Sequence, residues 1–372
     1  MSRMDRTYRI LPTYTGDVSG ACSALFELGG MVVIHDPSGC NSTYNTHDET
    51  RWYDHDSLIF ITGFTEREAV LGTDDKLVTD VVDAVRELHP RFVALCNSPI
   101  PFISGMDFRA IAKKIERICG IPCFYVRTNG MHDYVVGAQN AFAAFAERFV
   151  SERAVRKSTA NILGVTPLDF HRAGAARELR DFCESAGFGV VGCWSMGSSL
   201  EEVSHAAEAQ VNLVVSATGL TLAERLRERF GTPYVVGAPT GAFTEPLAQA
   251  LREAAASNEC AWPCRDLRAK EPDGSHVIIG ESVAAASEAA AAELAGAVPL
   301  RVVCPLEVKR NLAGPHDVWA AGEHEIEDAC RLAHVVLADP FYQEVLAPGT
   351  RLEPRPHLAF SGRNALGPTK SE

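Results

Sequence analysis

Three cysteines in the N-terminal third of the chain stand where thiol chemistry is most readily built. Cys22 lies in Ser19-Gly-Ala-Cys-Ser, directly ahead of an apolar, helix-like stretch. Cys40 follows the strand-like run Met31–Ile34, within His35-Asp-Pro-Ser-Gly-Cys40-Asn-Ser. Cys96 closes the apolar run Phe92–Cys96 and is followed by Asn-Ser-Pro. Each is therefore expected at a strand-to-helix turn or a helix start, where free backbone N–H groups and the helix dipole favour a thiolate. Open α/β sheets bind ligands beyond the carboxyl ends of their strands. Three thiolates meeting there suit an iron–sulfur cluster, whose irons take soft sulfur ligands. The wide spacing carries no local ligand signature, and the opposing reading is three small buried hydrophobes.

Other polar clusters carry less. The loop Tyr44–Ser57 holds His47, Asp48, Glu49, His55 and Asp56, residue types that bind metals but at the irregular spacing of an exposed loop. Thr65-Glu-Arg-Glu68 has capping-box spacing, which accounts for Glu68 without catalysis. The text Gly187-Phe-Gly-Val-Val-Gly192 fits a dinucleotide pattern but precedes its strand, so it cannot set a helix N-terminus against a pyrophosphate. No Gly-x-x-x-x-Gly-Lys-Ser/Thr loop is present, so ATP binding through a P-loop is not expected.

Behind these residues the chain must supply a scaffold, and its composition sets the kind. With 372 residues, 46% hydrophobic and 22% charged, it reads as a globular protein of two or three domains. The net charge of -13 argues against nucleic acid, which requires a basic face. No apolar run is long enough to span a bilayer, and Met1–Ile10 is polar with no apolar run behind it, so a cytoplasmic protein is expected. Eleven cysteines without an export signal argue against a disulfide framework. Cys119, Cys123, Cys183, Cys193, Cys304 and Cys330 fall in helix or strand patterns and read as packing residues.

The elements repeat one unit of strand, turn and amphipathic helix. Phe92–Cys96 is followed by a helix over Asp107–Ile118, stopped by Gly120, and by the strand Pro122–Val126. The pattern returns as Asn161–Gly164, a helix over Leu168–Ala186, Gly189–Val191, Val211–Val215, a helix over Leu220–Phe230, and Tyr234–Val236. A third round runs through His276–Ile279, an alanine-rich helix over Ser282–Leu294, Leu300–Val303, Val335–Leu337 and Leu358–Phe360. Polar stretches at 151–158 and 265–275 divide the chain. The expected fold is α/β: three Rossmann-like domains with mostly parallel sheets, over 1–155, 156–270 and 271–372.

Taken together and in order, several segments resemble the nitrogenase component 1 family. They are Gly20-Ala-Cys-Ser-Ala-Leu25, Val33-Ile-His-Asp-Pro-Ser-Gly-Cys40, and Ile61-Thr-Gly-Phe-Thr-Glu-Arg-Glu-Ala-Val-Leu-Gly72. Asp75-Lys-Leu77, Cys96 with Ile103-Ser-Gly-Met-Asp107, Asn161-Ile-Leu-Gly164, and Val211–Ser216 with Gly231-Thr-Pro-Tyr234 complete the set. The resemblance covers nearly the whole chain and is densest before residue 130.

The resemblance implies that Cys22, Cys40 and Cys96 hold an iron–sulfur cluster, 4Fe–4S or an eight-iron P-cluster-like group, shared at a subunit interface. It also brings in Asp133, in the stretch where one branch of the family places an oxygen ligand, with a helix-capping aspartate as the alternative. His357 sits roughly where the family's cofactor-holding subunits place a histidine; Cys260 and Cys264 are counterparts of their cysteine in a poorly matching context. Implied partners are a homologous subunit, as homodimer, heterodimer or heterotetramer, and an ATP-dependent iron protein that supplies electrons.

The implied function is that of a cluster-bearing subunit of a nitrogenase-like two-component reductase, an oxidoreductase relaying electrons to a substrate or larger metallocofactor. The smaller subunit of a methylthio-alkane reductase and a homodimeric tetrapyrrole-reducing relative both fit. A scaffold for metallocluster assembly is the competing reading, and a metal-free α/β binding protein is a third.

Overall fold

A strand covered by helices on both faces needs apolar residues on both, and Met31–Ile34 and Val93–Cys96 of the central strands supply them without a break. The computed structural model describes residues 8–38, 49–53, 55–170, 174–308 and 314–362. Within them every pairing between strands is parallel, in three sheets.

The first sheet is built from α1 (Asp17–Leu25), β1 (Met31–His35), β2 (Leu58–Ile61), α2 (Glu66–Leu71), α3 (Asp75–Leu88), β3 (Val93–Asn97), α4 (Pro99–Ile103), α5 (Phe108–Cys119), β4 (Cys123–Tyr125) and α6 (Tyr134–Phe149). Its strand order is β2-β1-β3-β4, so the chain changes direction at β1 and β3. The two are in register, with Ile34 opposite Cys96 and His35 opposite Asn97.

The second sheet, in order β6-β5-β7-β8, comes from β5 (Arg156–Val165), α7 (Ala175–Ser185), β6 (Gly189–Ser195), α8 (Leu200–Ser204), β7 (Ala209–Val214), α9 (Leu220–Phe230), β8 (Tyr234–Val236), α10 (Thr244–Ser257) and α11 (Pro263–Asp266). The third, in order β11-β10-β9-β12-β13, comes from β9 (His276–Ile279), α12 (Ser282–Leu294), β10 (Arg301–Cys304), β11 (Val318–Trp319), α13 (Glu323–Cys330), β12 (Val335–Ala338) and β13 (Arg351–Pro354).

The α/β class and the parallel sheets are as the sequence predicts; several details differ. The last strand is β13, not Leu358–Phe360, which contributes only an isolated antiparallel bridge between Phe360 and Tyr14. The helix expected from Leu168 begins at Ala175. Residues 8–15, expected with the first domain, pack on the third sheet: Leu11 lies in its core, and the amides of Arg9, Ile10 and Leu11 all donate to Glu323 Oε2. The capping box at Thr65 is formed, with Glu68 closing it.

One core runs from the inner face of the first sheet into the second and reaches residues of the third, including Val283, Cys304 and Leu306. A separate cluster fills the outer face of the first sheet, against α3 and α5.

Candidate functional site

Side-chain alternation assigns the two faces of the first sheet. Val32, Ile34, Ala94 and Cys96 face α1 and α6, whereas Met31, Val33, Val93 and Leu95 face α3 and α5. Cys96 therefore enters the space beneath α1 at the carboxyl end of β3, next to β1, which is the switch point of the sheet.

Cys22 reaches the same space from above. It sits inside α1, not at a helix start as the sequence suggested. What brings α1 so close is glycine. A Cβ at Gly20 would stand 2.0 Å from the Tyr134 carbonyl oxygen, and one at Gly137 would stand 1.8 Å from that of Asp17. Only backbone without side chains allows α1 and α6 to cross in this way.

The result is a pair of neighbouring thiols, both fully buried and not joined by a disulfide. Burial pushes the Cys22 thiol well above its usual range, and the nearby Cys96 and Glu49 add to the shift. The helix-dipole stabilisation expected of Cys22 is thus outweighed by desolvation, and without a metal this thiol keeps its proton. Cys40 and the loop residues His47 and Asp48 lie outside the described residues. Among the described residues no group of three or more His, Cys, Asp or Glu is placed to hold a metal ion.

Charged clamps fix both ends of α1. Asp17, buried at its start, accepts the amides of Asn129 and Gly130, each at 2.8 Å, and burial raises it to about 6. Beyond the other end, buried Arg51 donates to Glu49 Oε1 at 2.7 Å, to Glu27 Oε1 at 2.9 Å, to the Ser23 carbonyl at 2.7 Å and to the Ser195 carbonyl at 3.1 Å. Glu49, read as part of an exposed metal-binding-like loop, is instead buried and also accepts from Ser23. His55 and Asp56 are exposed.

Asp133 is the N-cap of α6. One carboxylate oxygen accepts the Val135 amide at 3.0 Å and the other the Glu307 amide, and burial raises the group to about 6. Both oxygens are thus occupied by backbone, not turned toward the thiols. His357 lies at a different junction, where its Nε2 stands 3.1 Å from the Tyr134 hydroxyl and 3.4 Å from Asp169 Oδ1. The Tyr134 hydroxyl donates to Asp169 Oδ1 at 2.5 Å, and Asp169 lines a cleft of about 540 Å³ with Phe170, Leu179, Phe182 and Pro239. Close by, Glu281 caps α12 and also accepts the Ala217 amide; burial, with Asp169 adding, raises it to about 7. Cys264 is buried in the main core and Cys260 half-buried.

Sequence reasoning missed Ser98. It follows β3 by one residue, is fully buried, and its hydroxyl has no hydrogen-bond partner among the described residues. The signal was available in its position two residues beyond Cys96. The clamps at Asp17 and Arg51 had no such signal, since, apart from Glu49 beside Arg51, their partners come from distant segments.

The family model for nitrogenase component 1 type oxidoreductases matches residues 17–292. The chain is 25% identical over 238 residues to the nitrogenase iron-molybdenum cofactor biosynthesis protein NifE of Clostridium pasteurianum, covering 59% of this chain and 51% of that protein. It is 26% identical over 221 residues to the nitrogenase molybdenum-iron protein alpha chain of Azospirillum brasilense, covering 55% and 45%. With one subunit of the light-independent protochlorophyllide reductase of Synechococcus sp. (strain JA-3-3Ab) it shares 22% over 240 residues, covering 59% and 47%. The match therefore spans about half the length of these relatives. The solved structure of nitrogenase Cp1 at pH 6.5 superposes with a TM-score of 0.69 at 15% identity, over 98% of this chain and 93% of that one, a likeness of fold.

Proposed function

The chain belongs to the nitrogenase component 1 type oxidoreductases, and on that premise we propose that it is a cluster-bearing subunit of a nitrogenase-like two-component reductase. The observation carrying this reading is the pairing of Cys22 and Cys96, two buried, neighbouring thiols from distant segments at the switch point of the first sheet. A pair of soft donors at a ligand-binding edge fits an iron–sulfur group better than core packing does. Cys22, Cys96 and, by family resemblance, Cys40 are the proposed ligands.

Such a group supplies reversible one-electron storage at low potential. The chain's own part is to hold the two sulfurs and exclude water. Iron would displace the thiol protons, since a coordinating thiol is deprotonated outright. Electrons would come from an ATP-dependent iron protein.

A homologous subunit is the proposed cover for the carboxyl edge of the first sheet. There α2 exposes Val70 and Leu71, and α4 exposes Ile100, Phe102 and Ile103. Val70 and Ile103 are 77% and 76% exposed, apolar surface of the kind a partner buries.

Anaerobic purification with iron and sulfide analysis tests the reading. Stoichiometric iron and sulfide, lost when Cys22 and Cys96 are replaced by serine, is the expected result. Iron-free anaerobic protein would overturn it. The second reading, an assembly scaffold, takes support from the match to the NifE protein. It predicts a bound cluster that is transferred to an acceptor, with no turnover in the presence of iron protein and reductant.

A further inference from the structure

Ser98 is an unusual buried residue because nothing in the described structure answers its hydroxyl. The backbone N–H donates to the His35 carbonyl at 3.2 Å, so the main chain is satisfied. Its Oγ is shielded from solvent and has no partner among the described residues. Leaving a buried hydroxyl unpaired costs free energy, and native proteins rarely leave one so.

The direction of that hydroxyl follows from the strand. Asn97, the last residue of β3, sends its side chain to Tyr125, whose ring stacks on Phe108 on the outer face. Ser98 keeps an extended backbone, with φ -90° and ψ 179°, so its side chain falls on the opposite face. That is the face of Cys96 and Cys22. His35 Nε2 is likewise buried and unpaired, but it packs against Phe64 and Phe108 on the outer face.

Resting on the cluster reading above, we infer that the Ser98 hydroxyl donates a hydrogen bond to a sulfur of the iron–sulfur group held by Cys22 and Cys96. Ser98 is then a positioning residue that sets the potential of the group. A donor to sulfur stabilises the more negative, reduced state, so it raises the potential.

The experiment compares Ser98→Ala and Ser98→Thr with the unaltered protein, purified anaerobically. Paramagnetic-resonance redox titration should give a lower midpoint potential for the alanine variant and restoration by threonine. An exchangeable proton coupled to the cluster, detected by double resonance after exchange into deuterium oxide, should vanish in the alanine variant. In iron-free protein, denaturant unfolding should show the alanine variant as stable as the original or more so, because an unanswered hydroxyl has been removed. A clear loss of iron-free stability would instead assign Ser98 a structural role and overturn the inference. Unchanged potential and unchanged proton coupling in an iron-loaded alanine variant would overturn it while leaving the cluster reading intact. Absence of iron from the unaltered protein would sink both, and is distinguished by metal analysis before any variant is made.

Discussion

The thiols of Cys22 and Cys96 are neighbours, one hung from a helix and the other from the end of a strand, with neither reaching solvent. That pairing sets two sulfurs where the first sheet reverses its winding.

Replacing Cys22 or Cys96 with serine is expected to reduce bound iron to less than half in anaerobic protein. Colorimetric iron and sulfide assays check this. Retention of full iron by both single variants would remove these residues from the ligand set.

Gly20→Ala or Gly137→Ala drives a methyl into the backbone of the opposing helix. The overpacking is expected to cost at least about 1–3 kcal/mol in urea unfolding. It should also expose Cys22 and Cys96 to thiol reagents that leave the unaltered protein unmodified there. Mass spectrometry of the modified peptides reads the second effect.

Arg51→Ala strands Glu49 and Glu27 without their guanidinium, and Glu49 is almost wholly buried. Removing one partner of a buried ion cluster typically costs about 3–5 kcal/mol. Chemical denaturation gives the value; a loss near zero would show the cluster to be solvated in solution.

The pH dependence carries a signature of His35, whose imidazole is pushed down by burial to about 4 from its ordinary 6.5. The unfolded chain takes up this proton at higher pH than the folded one, so unfolding binds protons between those values. Stability should therefore be complete above pH 6.5 and fall as pH drops toward 4, by up to about 3 kcal/mol. His35→Gln should flatten that segment of the profile. An unaltered slope in the variant would assign the acid sensitivity to other groups.

Ile103→Glu places a charge on the most exposed part of α4 without disturbing the core. If the carboxyl edge of the first sheet is a subunit interface, analytical ultracentrifugation should show at least a tenfold weaker association. Unchanged assembly would move the interface elsewhere.

The strands were legible because parallel sheets write themselves as unbroken apolar runs, such as Met31–Ile34 and Phe92–Cys96, which lie within or against the strands Met31–His35 and Val93–Asn97. The short edge strands Val318–Trp319 and Arg351–Pro354 lack that signature, being only half-buried or exposed, and sequence alone passed over them. In the site, Cys96 could be placed at a strand end from its run. Cys22 could not be placed within its helix, since the close crossing depends on Gly137, far along the chain. A long-range acceptor such as Asp17 left no local trace, because its donors, the amides of Asn129 and Gly130, are brought by tertiary packing alone.

The stretch 8–15, lodged on the third sheet with Tyr14 stacked on Phe360, has a consequence for how the molecule is made. During synthesis this segment leaves the ribosome long before Glu323 and Phe360, the partners that hold it. The first two sheets can assemble as their strands leave the ribosome, but the third cannot seal until Glu323 captures the amides of Arg9, Ile10 and Leu11. Closing so long a loop carries an entropic cost that grows slowly with its length, and the burial of Leu11 with the Glu323 clamp must offset it.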